Sequence, residues 1–364
     1  MKVNLLFFII LTLVLAGCGT VRPITDVSSA KVYTVGATIA VSARNQTTTC
    51  RPLPGITALL MNSEDSGWIL AQCSAEKWAI MHTVNGWRSS SVVLTSPTQY
   101  NSWMPVGWTS TRQMAFITLR RNSTFLVLRV NTSGTSTAVP IDMGNVTATM
   151  PQVPVLMSFA SDEDGWMLIE RQAWSGGGVS DLFTSIDGGR NWRLTNSRIG
   201  GQPAAILLTS RSTGYIATDS PIFGRVGILT TASAGHHWTF ANLKVPRLYH
   251  RNTLAVLGMS YSPGQRATAI IALSSNMDAL YAGIGTEWQL QFLVPTSNGL
   301  VLSDGARIIA YRGRSGIIIR RGQQAYYFGP AERIQELAYV SSARVIALEQ
   351  GPQGSIIISV VPLP

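Results

Sequence analysis

The chain has 364 residues, of which 46% are apolar and only 13% are charged. Its 28 Lys and Arg outnumber its 18 Asp and Glu, which gives a formal net charge of +10. Because the basic residues form no run and no recognition motif, the charge does not indicate a nucleic-acid ligand. It favours a basic surface beside an anionic envelope, or a docking surface for lipid headgroups, wall polymers or an acidic partner.

Residues 1–17 have the form of a signal peptide, with a positive charge at Lys2 followed by an apolar stretch. The next residues complete Leu-Ala-Gly-Cys, which resembles the bacterial lipobox, where the Cys becomes the lipidated first residue of the mature protein. We therefore expect an anchor on Cys18, a tether over 18–30, and attachment to the cell membrane on its extracytoplasmic side. No later segment offers the roughly 18 consecutive apolar residues of a transmembrane helix.

A repeat runs through the rest of the chain. An apolar run, a polar turn that usually contains Gly, an aromatic or aliphatic residue and a second apolar run recur at about 49-residue spacing, as between Gly165 and Gly214. The copies cover 56–71, 106–119, 153–170, 204–220, 257–273, 298–311 and 336–348. Several short strands per repeat of this length predict a β-propeller over 31–364, with seven four-stranded antiparallel blades. A six-bladed propeller remains the alternative, with the weak copy at 106–119 not forming a blade.

A second pattern recurs inside these repeats, most clearly as FTSIDGGRNWRL at 183–194. Weaker copies lie at 81–90, 229–240 and 282–290. The pattern resembles the Asp box, Ser-x-Asp-x-Gly-x-x-Trp, of sialidases, sortilin-type receptors and photosystem II assembly-factor-like propellers, and is most similar to the last group. Ser185, Asp187, Gly189 and Trp192 match it without a gap.

The chemistry of this box predicts a structural role. Gly188 and Gly189 suit a tight turn between strands. The Asp187 carboxylate can accept backbone N–H bonds within the turn, and Trp192 can pack on the sheet behind it. The resemblance implies a position at the blade rim, away from the ligand site.

The repeats predict strands for each blade, and in the third they fall at 153–160, 165–170, 180–186 and 192–196. The seventh copy supplies only three strands. Residues 31–43 alternate like a strand, so we expect them to close the last blade and leave no open edge.

Cys50 and Cys73 remain once Cys18 is assigned to lipid, and two Cys in an oxidising compartment suggest one disulfide. In the propeller layout both fall in loops on the same face, which predicts a Cys50–Cys73 bond. Neither has metal ligands at close spacing, so we expect no metal and no cofactor.

Propellers bind ligands at the channel mouth, on the face opposite the Asp boxes. The richest loops there are 171–180, 195–204 and 243–252, where Arg and aromatic residues suit carboxylates, sugars or peptide carbonyls. The candidate contacts are Arg171, Trp174, Arg198, Arg247, Tyr249, His250 and Arg251.

No catalytic set accompanies these candidates in the sequence. We find no pair of carboxylates suited to glycoside chemistry, no Ser-His-Asp signature and no metal-spaced His cluster. We expect a monomeric, non-catalytic binding or assembly module for envelope proteins or anionic glycans. A sialidase-like carbohydrate-active hydrolase or lyase is the alternative, and a sensory or adhesive lipoprotein is a third interpretation.

Overall fold

The computed structural model describes residues 31–32, 38–40, 50–52, 59–63, 65–74, 77–87, 90–143, 155–174, 177–219, 226–250, 252, 254–261, 264–295, 301–304, 308–312, 317–321, 324–328, 334–340, 344–350 and 356–362. The fold of these residues is all-β, with two single-turn 3-10 helices at Thr98–Tyr100 and Arg247–Tyr249. Within these ranges, no helix has the length and hydropathy needed to cross a bilayer.

The strands are β1 (Lys31–Val32), β2 (Thr38–Ala40), β3 (Arg51–Pro52), β4 (Leu59–Met61), β5 (Gly67–Gln72), β6 (Trp78–Thr83), β7 (Ser91–Thr95), β8 (Met104–Ser110), β9 (Met114–Arg121), β10 (Thr124–Asn131), β11 (Ser136–Ile141), β12 (Val155–Phe159), β13 (Gly165–Trp174), β14 (Gly177–Ser185), β15 (Arg193–Gly200), β16 (Gln202–Leu208), β17 (Gly214–Asp219), β18 (Gly227–Thr231), β19 (Thr239–Asn242), β20 (Ala255–Ser260), β21 (Ala267–Ser274), β22 (Met277–Ile284), β23 (Glu287–Pro295), β24 (Val301–Asp304), β25 (Ile308–Arg312), β26 (Ile317–Arg321), β27 (Gln324–Phe328), β28 (Ile334–Val340), β29 (Arg344–Gln350) and β30 (Ile356–Pro362).

These strands form seven sheets, which we number in chain order. The first contains β3 to β7, the second β8 to β11, the third β12 to β15, the fourth β16 to β19 and the fifth β20 to β23. The sixth contains β24 to β27 with β1 added, and the seventh contains β28 to β30 with β2 added. Neighbouring strands are antiparallel, apart from β1, which runs parallel to β27.

The strand positions predicted for the third repeat are confirmed. The four strands of the third sheet overlap all four predicted segments, and they are hydrogen-bonded in chain order. The main difference lies at the turn between β13 and β14. There β13 continues to Trp174 and β14 already begins at Gly177, so both strands are longer than predicted.

Part of the predicted closing strand 31–43 supplies the fourth strand of the seventh sheet, whereas Lys31 and Val32 pair with β27 of the sixth sheet. Thr38 to Ala40 pair antiparallel with Ser359 to Ile357 of β30, so β2 becomes the fourth strand. The added strand covers the hydrogen-bonding edge that β30 would otherwise leave open.

The core lies between consecutive sheets. Along β13 the side chains alternate with the two-residue period of a strand. Met167 and Ile169 pack with the second sheet, whereas Trp166 and Leu168 pack with the fourth. Similar clusters join the first sheet to the second and the fourth to the fifth, so each of these sheets packs face to face on the next.

The predicted disulfide between Cys50 and Cys73 is present. It joins the residue before β3 to the residue after β5, where Arg51 already pairs with Gln72. The bond therefore fixes the start of the first sheet to the end of β5, the first long strand of that sheet.

Candidate functional site

Two ends of the sheets must be distinguished. In an antiparallel four-stranded sheet, the turn between the second and third strands lies at the same end as the passage to the next sheet. We call this the crossover end; it includes 96–103, Gly201 and 243–254. The opposite end carries the other two turns of each sheet, such as 160–164 and 186–192 in the third, and we call it the Asp-box end.

At the Asp-box end, the 185–192 turn has the hydrogen bonds that its sequence predicts. Asp187 Oδ1 accepts from Ser185 Oγ at 2.9 Å and from the backbone N–H groups of Arg190 and Asn191 at 3.0 Å. Burial acts to raise the pKa of Asp187, but the hydrogen bonds from Asn191, Ser185 and Arg190 outweigh it and hold that pKa below the ordinary value. Both carboxylate oxygens of Asp187 accept hydrogen bonds from within the turn and so stabilise it.

Trp192 has the predicted packing role. Its ring meets the Phe159 ring edge-on at 6.0 Å and contacts the cluster between the second and third sheets. Gly188 and Gly189 adopt φ values of 69° and 72°, and Gly188 N donates to Glu163 O at 2.8 Å. This hydrogen bond thereby links the turn at 186–192 to the turn at 160–164 of the same sheet.

The weaker copies keep the same frame with other residues. In the fourth sheet, Ser233 takes the place of Asp187, and its Oγ accepts from His237 N at 2.9 Å. Thr231 replaces Ser185, and Ala234 occupies the Gly188 position at φ 55°. In the first sheet, Thr83 Oγ1 accepts from Trp87 N at 3.0 Å. Loss of the Asp therefore leaves the turn geometry in place.

The prediction of a loop over 171–180 is wrong for most of that segment. The ladder between β13 and β14 continues to the pair Trp174–Gly177, so only residues 175–176 lie between the two strands. Arg171 lies at a bulge in β13, and its guanidinium forms an ion pair with Asp181 of β14. The positive charge of Arg171 is therefore paired with a carboxylate of the same sheet.

Arg198 also lies in a strand, since β15 runs to Gly200 and only Gly201 separates it from β16. It sits at a second bulge, between Ser197 and Ile199, opposite Ser180 and Asp181. Its side chain is exposed, and its φ of 148° is one that few residues other than Gly adopt. Backbone strain of this kind concentrates at functional positions.

The segment 243–252 is a true connection, as predicted, and it has a defined shape. Pro246 begins a 3-10 turn in which Tyr249 N donates to Pro246 O at 2.9 Å. Tyr249 packs on the core between the fourth and fifth sheets, whereas Arg247 is exposed. His250 Nε2 lies 2.7 Å from Val245 O, which can only accept, so this nitrogen carries the proton. Arg251 lies outside the described residues.

Sequence reasoning missed a matching turn at the passage from the first sheet to the second. Pro97 begins it, Tyr100 N donates to Pro97 O at 2.8 Å, and the rings of Tyr100 and Trp103 meet edge-on at 6.5 Å. The shared Pro-x-x-Tyr of residues 97–100 and 246–249 was the available signal. Both turns place a partly buried Tyr at the crossover end.

Buried polar residues near the crossover end of the third sheet were also missed. Glu170 and Ser180 are cross-strand partners, 7% and 0% exposed, and Glu170 Oε1 and Ser180 Oγ have no hydrogen-bond partner among the described residues. Burial raises the pKa of Glu170. Asp181 points to the opposite face, and burial raises its pKa although Arg171 acts against the rise. Local sequence carries no signal for such burial.

Exposed charges divide unevenly between the two ends of the first five sheets, where the structure describes the exposure of the side chains. Those at the crossover end are Lys77, Arg121, Arg198, Lys244, Arg247 and Asp142. Those at the Asp-box end are Arg112, Arg190, Arg193, Arg211, Arg266, Asp65, Asp162, Glu163 and Glu287. The crossover end is therefore basic, whereas the Asp-box end is nearly balanced.

Comparison with known proteins identifies relatives in fold alone. No family model and no curated protein matches the sequence. Among solved structures, oligogalacturonate lyase from Vibrio parahaemolyticus aligns with a TM-score of 0.58 at 8% identity, over 91% of this chain and 98% of the lyase. This lyase and the structures named below are β-propellers. The likeness supports a β-propeller fold.

Two further structures agree with that fold. Puromycin hydrolase aligns with a TM-score of 0.53 at 13% identity, over 92% of this chain and 55% of the hydrolase. The GH74 xyloglucanase from Xanthomonas campestris aligns with a TM-score of 0.51 at 13% identity, over 81% of this chain and 51% of the enzyme. The aligned region thus covers only about half of each of these two proteins.

Proposed function

We propose that the protein is a lipid-anchored, extracytoplasmic β-propeller whose seven sheets are seven blades. The grouping of the described strands into seven sheets supports this count. The pairing of β2 with β30 supports closure of the ring by the N-terminal strand. The anchor is Cys18, and partition into detergent, abolished by Cys18→Ser, tests it.

We propose that the protein acts as a monomeric, non-catalytic binding or assembly module for envelope proteins or glycans, with the crossover end as its binding surface. The observation that carries this proposal is the excess of exposed basic side chains at that end. Neighbouring sheets present Arg198 and Arg247 there, and the guanidinium group matches carboxylates in bidentate geometry.

The ordered turns at the same end support recognition of a shaped ligand. The turn at 246–249 carries Tyr249 on the core and leaves Arg247 and Leu248 exposed, and Leu248 is 83% exposed. Rigid aromatic residues beside Arg are typical of binding surfaces, because little side-chain entropy is lost on contact.

Binding of the full chain to immobilised polymers tests this function. An acidic polysaccharide should retain the protein, a neutral polysaccharide of similar length should not, and salt should weaken the retention. Equal retention on both polymers would contradict an anionic ligand, and a protein captured specifically by crosslinking would favour the assembly role.

A carbohydrate-active hydrolase or lyase is the second candidate, and Glu170 is the observation that favours it. Its Oε1 has no hydrogen-bond partner among the described residues, and burial raises its pKa, which is the direction of shift that a general acid needs. Release of products from acidic oligosaccharides, lost in Glu170→Gln with binding retained, would establish catalysis. Unchanged oligosaccharides would reject it.

A further inference from the structure

Exposed aliphatic side chains recur at the turns between the last two strands of several sheets. Val84 in the first sheet and Ile186 in the third follow the Thr or Ser of the box, and Ile284 in the fifth is the last residue of β22, after Gly283. These side chains are 72%, 57% and 63% exposed. In the fourth sheet, the residue after Thr231 is Ala232, which is also exposed. The hydrogen bonds of the turn do not use this side chain, so the turn does not require it to be apolar.

The strands that leave these turns add to the same surface. The second residues of β7 and β15 are Val92 and Leu194, which are 42% and 46% exposed. We call Val84, Val92, Ile186, Leu194 and Ile284 the apolar rim. The three tips lie at one end of the described sheets, where several apolar side chains at the same end form a surface suited to an apolar partner.

The N-terminal chain enters from this end. β2 runs antiparallel to β30, and Thr38, its first residue, pairs nearer the Asp-box end than Ala40 does. β1 is parallel to β27, which itself starts at the Asp-box end. In the described part of the chain, Lys31 therefore lies nearer the Asp-box end than Val32 does. A stretch of thirteen residues, the length of 18–30, can span at most about 45 Å.

We propose that the apolar rim rests on the lipid bilayer to which the protein is anchored, so that the crossover end faces away from the membrane. This proposal rests on the lipid anchor of the proposed function, and it assigns a second contact that the anchor alone does not provide. Aliphatic side chains that enter the interface give a single lipid attachment a second, orienting signal.

The charge of the Asp-box end fits a bilayer surface. Arg190 and Arg193 are exposed beside Ile186 and Leu194, and long Arg side chains can reach headgroups while their stems stay in the interface. The five exposed Arg of this end outnumber its four exposed carboxylates among the described residues, so these exposed groups carry no net negative charge that would repel anionic lipids.

The test uses the full-length chain in vesicles of phosphatidylethanolamine and phosphatidylglycerol. A polarity-sensitive fluorophore is placed on Ile186→Cys, and on Leu248→Cys as a control at the crossover end that is even more exposed. The wild-type chain treated with the same reagent reports any label on Cys18. Because interfacial side chains enter roughly 5–10 Å, spin-labelled lipids should quench the Ile186 site at least about threefold more than the Leu248 site.

A second experiment tests whether the quenching depends on the apolar rim or on the label itself. With the label on Leu194→Cys, replacing Val84, Ile186 and Ile284 by Ser should reduce quenching to the level of Leu248→Cys. Equal quenching at both ends in vesicles that carry the protein would overturn the inference and leave the anchor intact. A blue shift without lipid quenching would overturn it in favour of a second copy of the chain, and failure to float with vesicles would overturn it together with the anchor.

Discussion

Asp187 shows how one side chain strengthens a turn. Its carboxylate accepts hydrogen bonds from three neighbours, and the turn that it closes holds Gly188 against Glu163 O. The copy in the fourth sheet achieves the same shape with Ser233, whose Oγ accepts from only one backbone N–H. The Asp therefore strengthens a turn that the chain can form without it.

Replacing Asp187 by Ala should lower the free energy of unfolding by about 1–2 kcal/mol at neutral pH, as for the loss of a capping side chain. Because its folded pKa lies below its unfolded value, this contribution is present above the unfolded pKa and disappears as pH falls through the folded one. Chemical denaturation at several pH values measures the difference. Asp187→Asn, which keeps the acceptor, should lose less, and a pH-independent difference would contradict the account.

Ala234 carries a backbone conformation that Gly serves better. Its φ is 55°, whereas the equivalent residue of the third sheet is Gly188. Ala234→Gly should stabilise the protein by about 1 kcal/mol in thermal or chemical unfolding. Gly188→Ala should destabilise it, since its Cβ would also lie 2.7 Å from Asp162 O. No gain in Ala234→Gly would mean that strain at this position is negligible.

At the scale of strands, the extension of β13 and β14 changes the interpretation of Arg171. The sequence RQAWSGGGVS suggested a contact loop, because it is rich in Gly and carries Arg and Trp. The pairing Trp174–Gly177 and the burial of Asp181 depend on contacts between strands, which local composition does not report. By contrast, β12 to β15 were predictable because their two-residue alternation and turn residues agree.

Arg171→Gln should destabilise the protein by about 2–4 kcal/mol at neutral pH, because it leaves the buried Asp181 carboxylate without its counter-charge. Burial already raises the pKa of Asp181, and loss of Arg171 raises it further. The defect should therefore shrink as pH falls and the carboxyl takes up a proton. Denaturant melts measure it, with Arg198→Gln as the exposed control, which should change stability by less than about 0.5 kcal/mol. Equal effects of the two variants would reject a structural role for the pair.

At the scale of the whole molecule, the pairing of β2 with β30 joins two strands that lie far apart in the sequence. The closing strand was predictable because the last repeat lacks one strand and residues 31–43 alternate. The charge difference between the two ends was not, since it depends on which strand ends lie together. The burial of Glu170 and Ser180 was not predictable either, because both residues are polar and their burial depends on the packing of the sheet.

A chain that begins at residue 41 should unfold at a lower temperature than one that begins at residue 31, by roughly 5–10 °C. The shorter chain loses the pairing of β2 with β30 and exposes a strand edge, so it should also aggregate more readily. Thermal scans with light scattering compare the two. Identical melting would show that β2 does not close the seventh sheet.

The central claim is that the crossover end binds an anionic ligand, and charge-matched variants test it most directly. Arg198→Ala with Arg247→Ala removes two exposed guanidinium groups from the crossover end, and Arg112→Ala with Arg266→Ala removes two from the Asp-box end. Titration calorimetry with the acidic polysaccharide that retains the wild-type chain then compares two proteins of equal net charge. The first pair should weaken binding by at least about tenfold and the second by less than about twofold, since only close charges make hydrogen-bonded contacts. Equal losses in the two double variants would contradict a binding surface at the crossover end.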